Sequence, residues 1–256
     1  MVHTLNVVQL RLVPNDRRER TRQAKRARIL AAAGGVLDRD GLDGLTMQAV
    51  ATELDCAVGT LYTAFASKAE LLAALQAEGV SLLEASYRAG RASWDEELAE
   101  LEPELAALVE LMAWAGFVAA AAVVYPDETR LVRDVLGDVA PPRGSAEAEA
   151  LLPVVLRLLD PPATRLADAV GLGVLHPGDP VARALCWLAA LHGVLRLDAL
   201  GPLDRHLFRS APLARATTEA LLVGWGAGRD DVEVAGSHLE RLVALGPLAP
   251  PPEPPQ

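Results

Sequence analysis

The stretch between Gly44 and Ser67 limits the fold more than any other part of the chain. It reads as two very short helices, "MQAVATEL" (residues 47–54) and "VGTLYTAF" (residues 58–65), separated only by "DCA". Upstream, Ile29, Ala33, Val36 and Leu37 fall on one face of a longer amphipathic helix. Two helices of about two turns, joined this tightly behind a third, describe a helix-turn-helix. Short helix pairs also occur as plain core-filling elements, so spacing takes the argument no further.

Local signals mark the boundaries of this unit. Gly41 and Gly44 in "DRDGLDG" supply the stop after the first helix. Thr46 is placed as an N-cap, with Leu45 and Val50 as a hydrophobic staple across it. In the second short helix, Leu61 and Phe65 point inward at i, i+4. Val58, Gly59, Thr60, Tyr62 and Thr63 are left to the outside or the flanks. Ser67-Lys68-Ala69-Glu70 is a capping box that opens a long helix through "KAELLAALQAEGVSLLEASYRA".

Ala and Leu dominate the rest, β-branched alternation is missing, and the expected class is all-α. Helices are expected near 103–125, 127–137, 146–159, 163–174, 179–199 and 212–227. Breaks are expected at "GDVAPPRGS", "DPP", "HPGDP" and "GPLDRH". The expected organisation is a flexible arm (1–16), a three-helix helix-turn-helix domain (17–67), a larger helical domain (68–245), and an extended or disordered Pro-rich tail (246–256).

The formal charge of −10 argues at first against nucleic acid as a partner, but its distribution reverses that reading. Residues 1–30 hold Arg11, Arg17, Arg18, Arg20, Arg22, Lys25, Arg26 and Arg28 against Asp16 and Glu19, which leaves +6 there and −16 elsewhere. A basic front on an acidic body suggests a local nucleic-acid footprint, with a solvated basic helix face as the alternative.

Cys56 and Cys186, 130 positions apart, fit a reducing compartment and are expected to be small buried apolar residues. The N-terminus lacks the pattern of a signal peptide. The longest apolar run, Leu111 to Tyr125, covers 15 residues and is expected to be a buried core helix; a membrane span needs about 20. A cytoplasmic protein without a membrane partner is expected. No metal-ligand spacing and no cofactor motif occur. There is no G-x-S-x-G elbow, P-loop or dinucleotide fingerprint, so an enzyme is not expected.

With those residues in place, "ILAAAGGVLDRDGLDGLTMQAVATELDCAVGTLYTAFASKAELLAAL" resembles the DNA-binding domain of the tetracycline-repressor (TetR) family of bacterial transcription regulators. The matching features are Gly-x-x-x-Leu-Thr, Ala-x-x-Leu and Gly-Thr-Leu-Tyr-x-x-Phe-x-Ser-Lys-x-x-Leu-Leu. The resemblance implies that the second short helix enters the major groove, with Ala57, Val58, Gly59 and Thr63 facing bases. It implies phosphate contacts from Thr46, Thr60, Tyr62 and Lys68. The arginines at 17–28, Arg22 and Arg26 among them, are expected to reach the backbone or minor groove in compensation for family groups this sequence lacks. Ala57-Val58 and Thr63-Ala64 stand where many members carry Ser-Lys and His-Tyr. "WLAALHGVL" is similar to a Trp-His-Gly signature of one C-terminal subgroup.

In the larger domain, Tyr87, Trp94, Met112, Phe117 and Tyr125 concentrate bulk among alanines, with Trp187 and His192 further on. They are expected either to line a ligand pocket between helices or to pack as ordinary core. By resemblance, the last two helices form a four-helix dimer interface. That assigns "VARALCWLAALHGVLRLDAL" and "LARATTEALLVGWGAG", with Leu185, Leu188, Leu195, Leu221 and Trp225 at the contact. The expected function is a homodimeric repressor, released from a palindromic double-stranded operator by a small, mostly apolar effector. The alternative is a helical binding or scaffold protein whose DNA head has degenerated.

Overall fold

The computed structural model describes residues 17–135, 145–204 and 207–251. The expected arm (1–16) and the last five residues of the expected tail lie outside them. Every element among the described residues is helical, and the chain divides into two compact units between Leu71 and Leu72.

The first unit is built on α1 (Arg17–Gly44), α2 (Met47–Glu53), α3 (Val58–Tyr62) and the start of α4 (Lys68–Ala92). Gly41, at φ 70° and ψ −174°, interrupts α1, as its position suggested. Ile29, Ala33, Val36, Leu37, Leu45, Val50, Leu61 and Phe65 are buried together as its core. Thr46 caps α2 by accepting from the Ala49 amide at 3.0 Å. Ser67 caps α4 by accepting from the Glu70 amide at 3.1 Å, and Glu70 reaches back to the Ala66 amide at 2.7 Å.

The turn between α2 and α3 closes as a Schellman motif. The Cys56 amide donates to the Ala51 carbonyl at 3.0 Å, and the Asp55 amide to the Thr52 carbonyl at 3.1 Å. Asp55 holds the left-handed position at φ 49°, where aspartate is tolerated better than most L residues.

The second unit consists of the rest of α4 with α5 (Asp95–Ala99), α6 (Pro103–Val124), α7 (Pro126–Val135), α8 (Ala146–Gly171), α9 (Pro180–Leu197), α10 (Ser210–Gly224) and α11 (Arg229–Leu245). α6 packs against α7, α8, α9, α10 and α11, which explains why it is apolar all round. By length and composition α6 could cross a membrane, yet Leu108, Leu111, Met112, Trp114 and Phe117 are buried core residues. α9 also passes that length and composition test.

Four expectations need correction. The "DPP" segment does not break the chain, because α8 runs unbroken through Pro153, Pro161 and Pro162. Each proline removes one amide donor, so the carbonyl four residues back loses its usual helical partner without ending the helix. A further helix, α11, follows α10, so α9 and α10 are not the last two helices. The start of the tail is docked: Ala249 is buried, and the Pro250 carbonyl accepts from Ser86 at 2.9 Å and from the Tyr125 hydroxyl. A Cβ on Gly90 would lie 2.7 Å from the Leu248 carbonyl, so only glycine admits this return. Finally, Cys186 is exposed and Cys56 half-buried.

Candidate nucleic-acid interface and ligand cavity

The outer surface of α3 is what the alternation of Leu61 and Phe65 dictates. Both are fully buried, while Ala57, Gly59, Tyr62 and Thr63 are exposed and Val58 and Thr60 half-buried. A Cβ on Gly59 would meet nothing within 4 Å. No packing inside the chain therefore calls for glycine there. Tyr62 keeps 52% of its surface exposed, unusual for so large a ring without an external partner.

The polar groups divide into free and occupied ones. Arg22 is well exposed, with only a 3.9 Å approach to Glu19. Thr46 is exposed but spends its hydroxyl on the cap. Lys68 donates to the Leu42 carbonyl at 3.0 Å, so part of its ammonium closes the end of α1. Arg26 is held inside the unit. It stacks over the Phe65 ring at 4.0 Å, donates to the Ala64 carbonyl and lies 3.5 Å from Glu70. Its expected reach to DNA is thereby largely spent. Lys25, which motif reasoning did not single out, donates to Thr63 Oγ1 at 2.7 Å, and Thr63 donates to the Thr60 carbonyl. The basic helix face thus touches the end of α3, a relation that no residue spacing could reveal.

In the second unit, a partly open cavity of about 560 Å³ lies among α4, α6, α7, α8 and α9. That size suits a small organic ligand. Of the seven expected lining residues, Tyr87, Phe117 and His192 are there. The other four are core. Trp94 packs edge-on against Tyr87, and Met112 is buried in α6. Tyr125 anchors the tail. Trp187 donates to Thr218 Oγ1 at 3.0 Å and stacks behind Trp114, with centroids 4.6 Å apart. Trp114 itself lines the cavity, as do Arg88, Arg133, Arg157, Arg165 and Glu84. Those cations come from three helices, α4, α7 and α8, and only their shared position makes them a group.

Among the expected dimer contacts, Leu185 is exposed, but Leu188 and Leu195 are buried and face the cavity. Leu221 and Trp225 are half-buried against the core, and Arg183 lies over the Trp225 ring at 5.5 Å. The free face of α9 is instead Ala182, Leu185, Cys186, Ala189, Gly193 and Leu197, one stripe at helical spacing. The neighbouring α10 exposes Pro212, Ala216, Ala220 and Gly224. Among the described residues no His/Cys/carboxylate cluster could hold a metal ion.

Residues 29–75 match the profile described as bacterial regulatory proteins, tetR family. No curated protein sequence matches the chain. Among solved structures, RolR in complex with resorcinol is similar at TM-score 0.54 and 16% identity, covering 92% of this chain and 98% of its own. A bacterial regulatory protein in the tetR family from Rhodococcus RHA1 is similar at TM-score 0.53 and 21% identity, covering 80% and 98%. SmeT, the repressor of the Stenotrophomonas maltophilia multidrug efflux pump SmeDEF, is similar at TM-score 0.51 and 19% identity, covering 80% and 91%. At these identities the structures speak for the fold.

Proposed function

We propose that this chain is a dimeric, ligand-responsive transcriptional repressor acting in the cytoplasm, on the premise that residues 29–75, which match the tetR-family profile of bacterial regulatory proteins, serve as its DNA-binding module. The observation that carries this reading is the outer face of α3. Gly59 needs no space inside the chain, yet it stands exposed beside Tyr62, Thr63 and Lys25. An open backbone flanked by hydroxyls and an ammonium is suited to close approach by a duplex.

A module with so short a reading helix makes few base contacts. Useful affinity then requires two copies on a near-palindromic site, with half-sites one DNA turn or a multiple apart. The small and apolar stripes of α9 and α10 supply a surface for that pairing. Close approach of helices favours such small residues, and Leu185, Leu197 and Val181 are large apolar side chains left in solvent by the single chain. The cavity in the second unit is the effector site. A tenfold loss of operator affinity on effector binding requires only about 1.4 kcal/mol of coupling between the two sites.

A gel-shift titration on the promoter beside the chain's own gene, at two salt concentrations, tests the proposal. Specific retention that weakens steeply with salt is expected. Weak binding insensitive to sequence would point instead to a scaffold with a degenerate DNA head.

A further inference from the structure

The chemistry of the cavity wall narrows the class of effector. Most of the wall is apolar, with Trp114, Phe117, Leu188 and Leu191 among the lining groups. Its charged members are unbalanced. Arg88, Arg133, Arg157 and Arg165 face a single acid, Glu84, and Glu84 is already bonded by Arg157 at 2.9 Å.

Within that wall, two donors have no acceptor. Arg165 on α8 lies over the Tyr87 ring at 4.7 Å and donates through Nη1 to the Pro161 carbonyl at 2.9 Å. Its Nε is buried without a partner, and no carboxylate among the described residues forms an ion pair with it. The Tyr87 hydroxyl, on a residue only 6% exposed, lies beside the Arg165 guanidinium, which can only donate to its oxygen, so the hydroxyl proton has no acceptor. Glu110, whose charge acts on Tyr87, is bonded by Arg91 at 3.0 Å. Burial raises the Tyr87 phenol above its ordinary value of 10.0, with the positive charge of Arg165 opposing, so it stays a hydroxyl that can donate.

A guanidinium has donors only, and a buried N–H left unpaired, as at Arg165 Nε, is costly. Arg165 beside a donating hydroxyl therefore calls for a group that only accepts, has two oxygens and carries negative charge. Arg157 is neutralised by Glu84, Arg88 is exposed and Arg133 half-buried, and of the four only Arg165 has a buried nitrogen without an acceptor, so one such charge suffices at the anchor. We infer that the effector is an apolar monocarboxylate, its carboxylate held by Arg165 and the Tyr87 hydroxyl and its body lying on Trp114 and Phe117. This deepens the effector site proposed above, but its test needs no DNA.

Trp114 provides the signal. Tryptophan fluorescence of the full chain is titrated with matched pairs: 4-phenylbutyrate against 4-phenylbutan-1-ol, decanoate against decan-1-ol, and 2-naphthoate against 2-naphthalenemethanol. Acids are expected to bind about tenfold tighter than their alcohols, or more. Arg165→Met should bring acids down to the level of the alcohols, abolishing the acid-to-alcohol affinity ratio. Arg165→Lys should keep part of the preference, and Tyr87→Phe should lose a smaller share. If Arg165→Met does not fold, Arg165→Lys and Tyr87→Phe decide the matter, through a reduced acid-to-alcohol affinity ratio. Equal binding of acids and alcohols, no binding of any acid, or an acid preference that survives these substitutions overturns the inference. Operator retention in a gel shift would stand regardless of that result, so the two readings fail separately.

Discussion

Lys25 on α1 donates to the Thr63 hydroxyl at the end of α3 across 2.7 Å. Thr63 donates in turn to the Thr60 carbonyl, leaving its oxygen one free lone pair. The ammonium retains two donors, held beside the reading helix. Lys25→Met should weaken binding to operator and unrelated DNA alike and lower the salt slope by about one. Titrations at several salt concentrations measure both. An unchanged slope would remove Lys25 from the interface.

Gly59 separates the needs of the fold from those of recognition. Alanine there meets nothing in the chain and gains helix propensity, so Gly59→Ala should stabilise the module by up to ~1 kcal/mol. The added methyl would nevertheless stand where the duplex must approach, and operator affinity should fall. A higher melting temperature with undiminished affinity would show that α3 does not face DNA this way.

Tyr62 is half-exposed and bonded to nothing the chain itself requires. Tyr62→Phe should weaken specific and unrelated DNA about equally, because a phosphate contact carries no base information. Selective loss on the operator alone would contradict that role.

The two arginines expected at DNA should behave differently. Arg26 serves the Ala64 carbonyl and the Phe65 ring, so Arg26→Met should destabilise the module by ~1 kcal/mol. Arg22 is exposed, and Arg22→Met should leave stability within ~0.5 kcal/mol. Thermal unfolding compares them directly. Equal melting temperatures for the two variants would refute the structural role of Arg26.

Tyr125 bonds the Pro250 carbonyl and does not line the cavity. Tyr125→Phe should cost ~1 kcal/mol of stability by removing one of the two hydrogen bonds that hold the Pro250 carbonyl, the other coming from Ser86, while carboxylate binding stays at the wild-type level. A loss of binding with stability unchanged would return Tyr125 to the cavity.

Much of the first unit was legible in the sequence because its determinants are local. Thr46, Ser67 and Glu70 cap helices through bonds spanning only three or four residues, and the burial of Leu61 and Phe65 follows from helical period. α11 carries the same kind of signal, in Val232, Ala235, Leu239 and Leu242 at helical spacing. The left-handed Asp55 was not legible. Aspartate permits that conformation without requiring it, and the closing of the turn selects it.

What only the tertiary structure decided was everything set by which helices meet. Whether Trp187 lines a cavity or backs one depends on Trp114, 73 positions away in the chain. Pro161 and Pro162 read as a stop in isolation, yet α8 continues through both. The cationic wall draws its arginines from α4, α7 and α8, and no periodicity links those positions. A cap or an amphipathic face is written in neighbouring residues. A cavity is the space left over when distant surfaces close, and its charge is known only once they have closed.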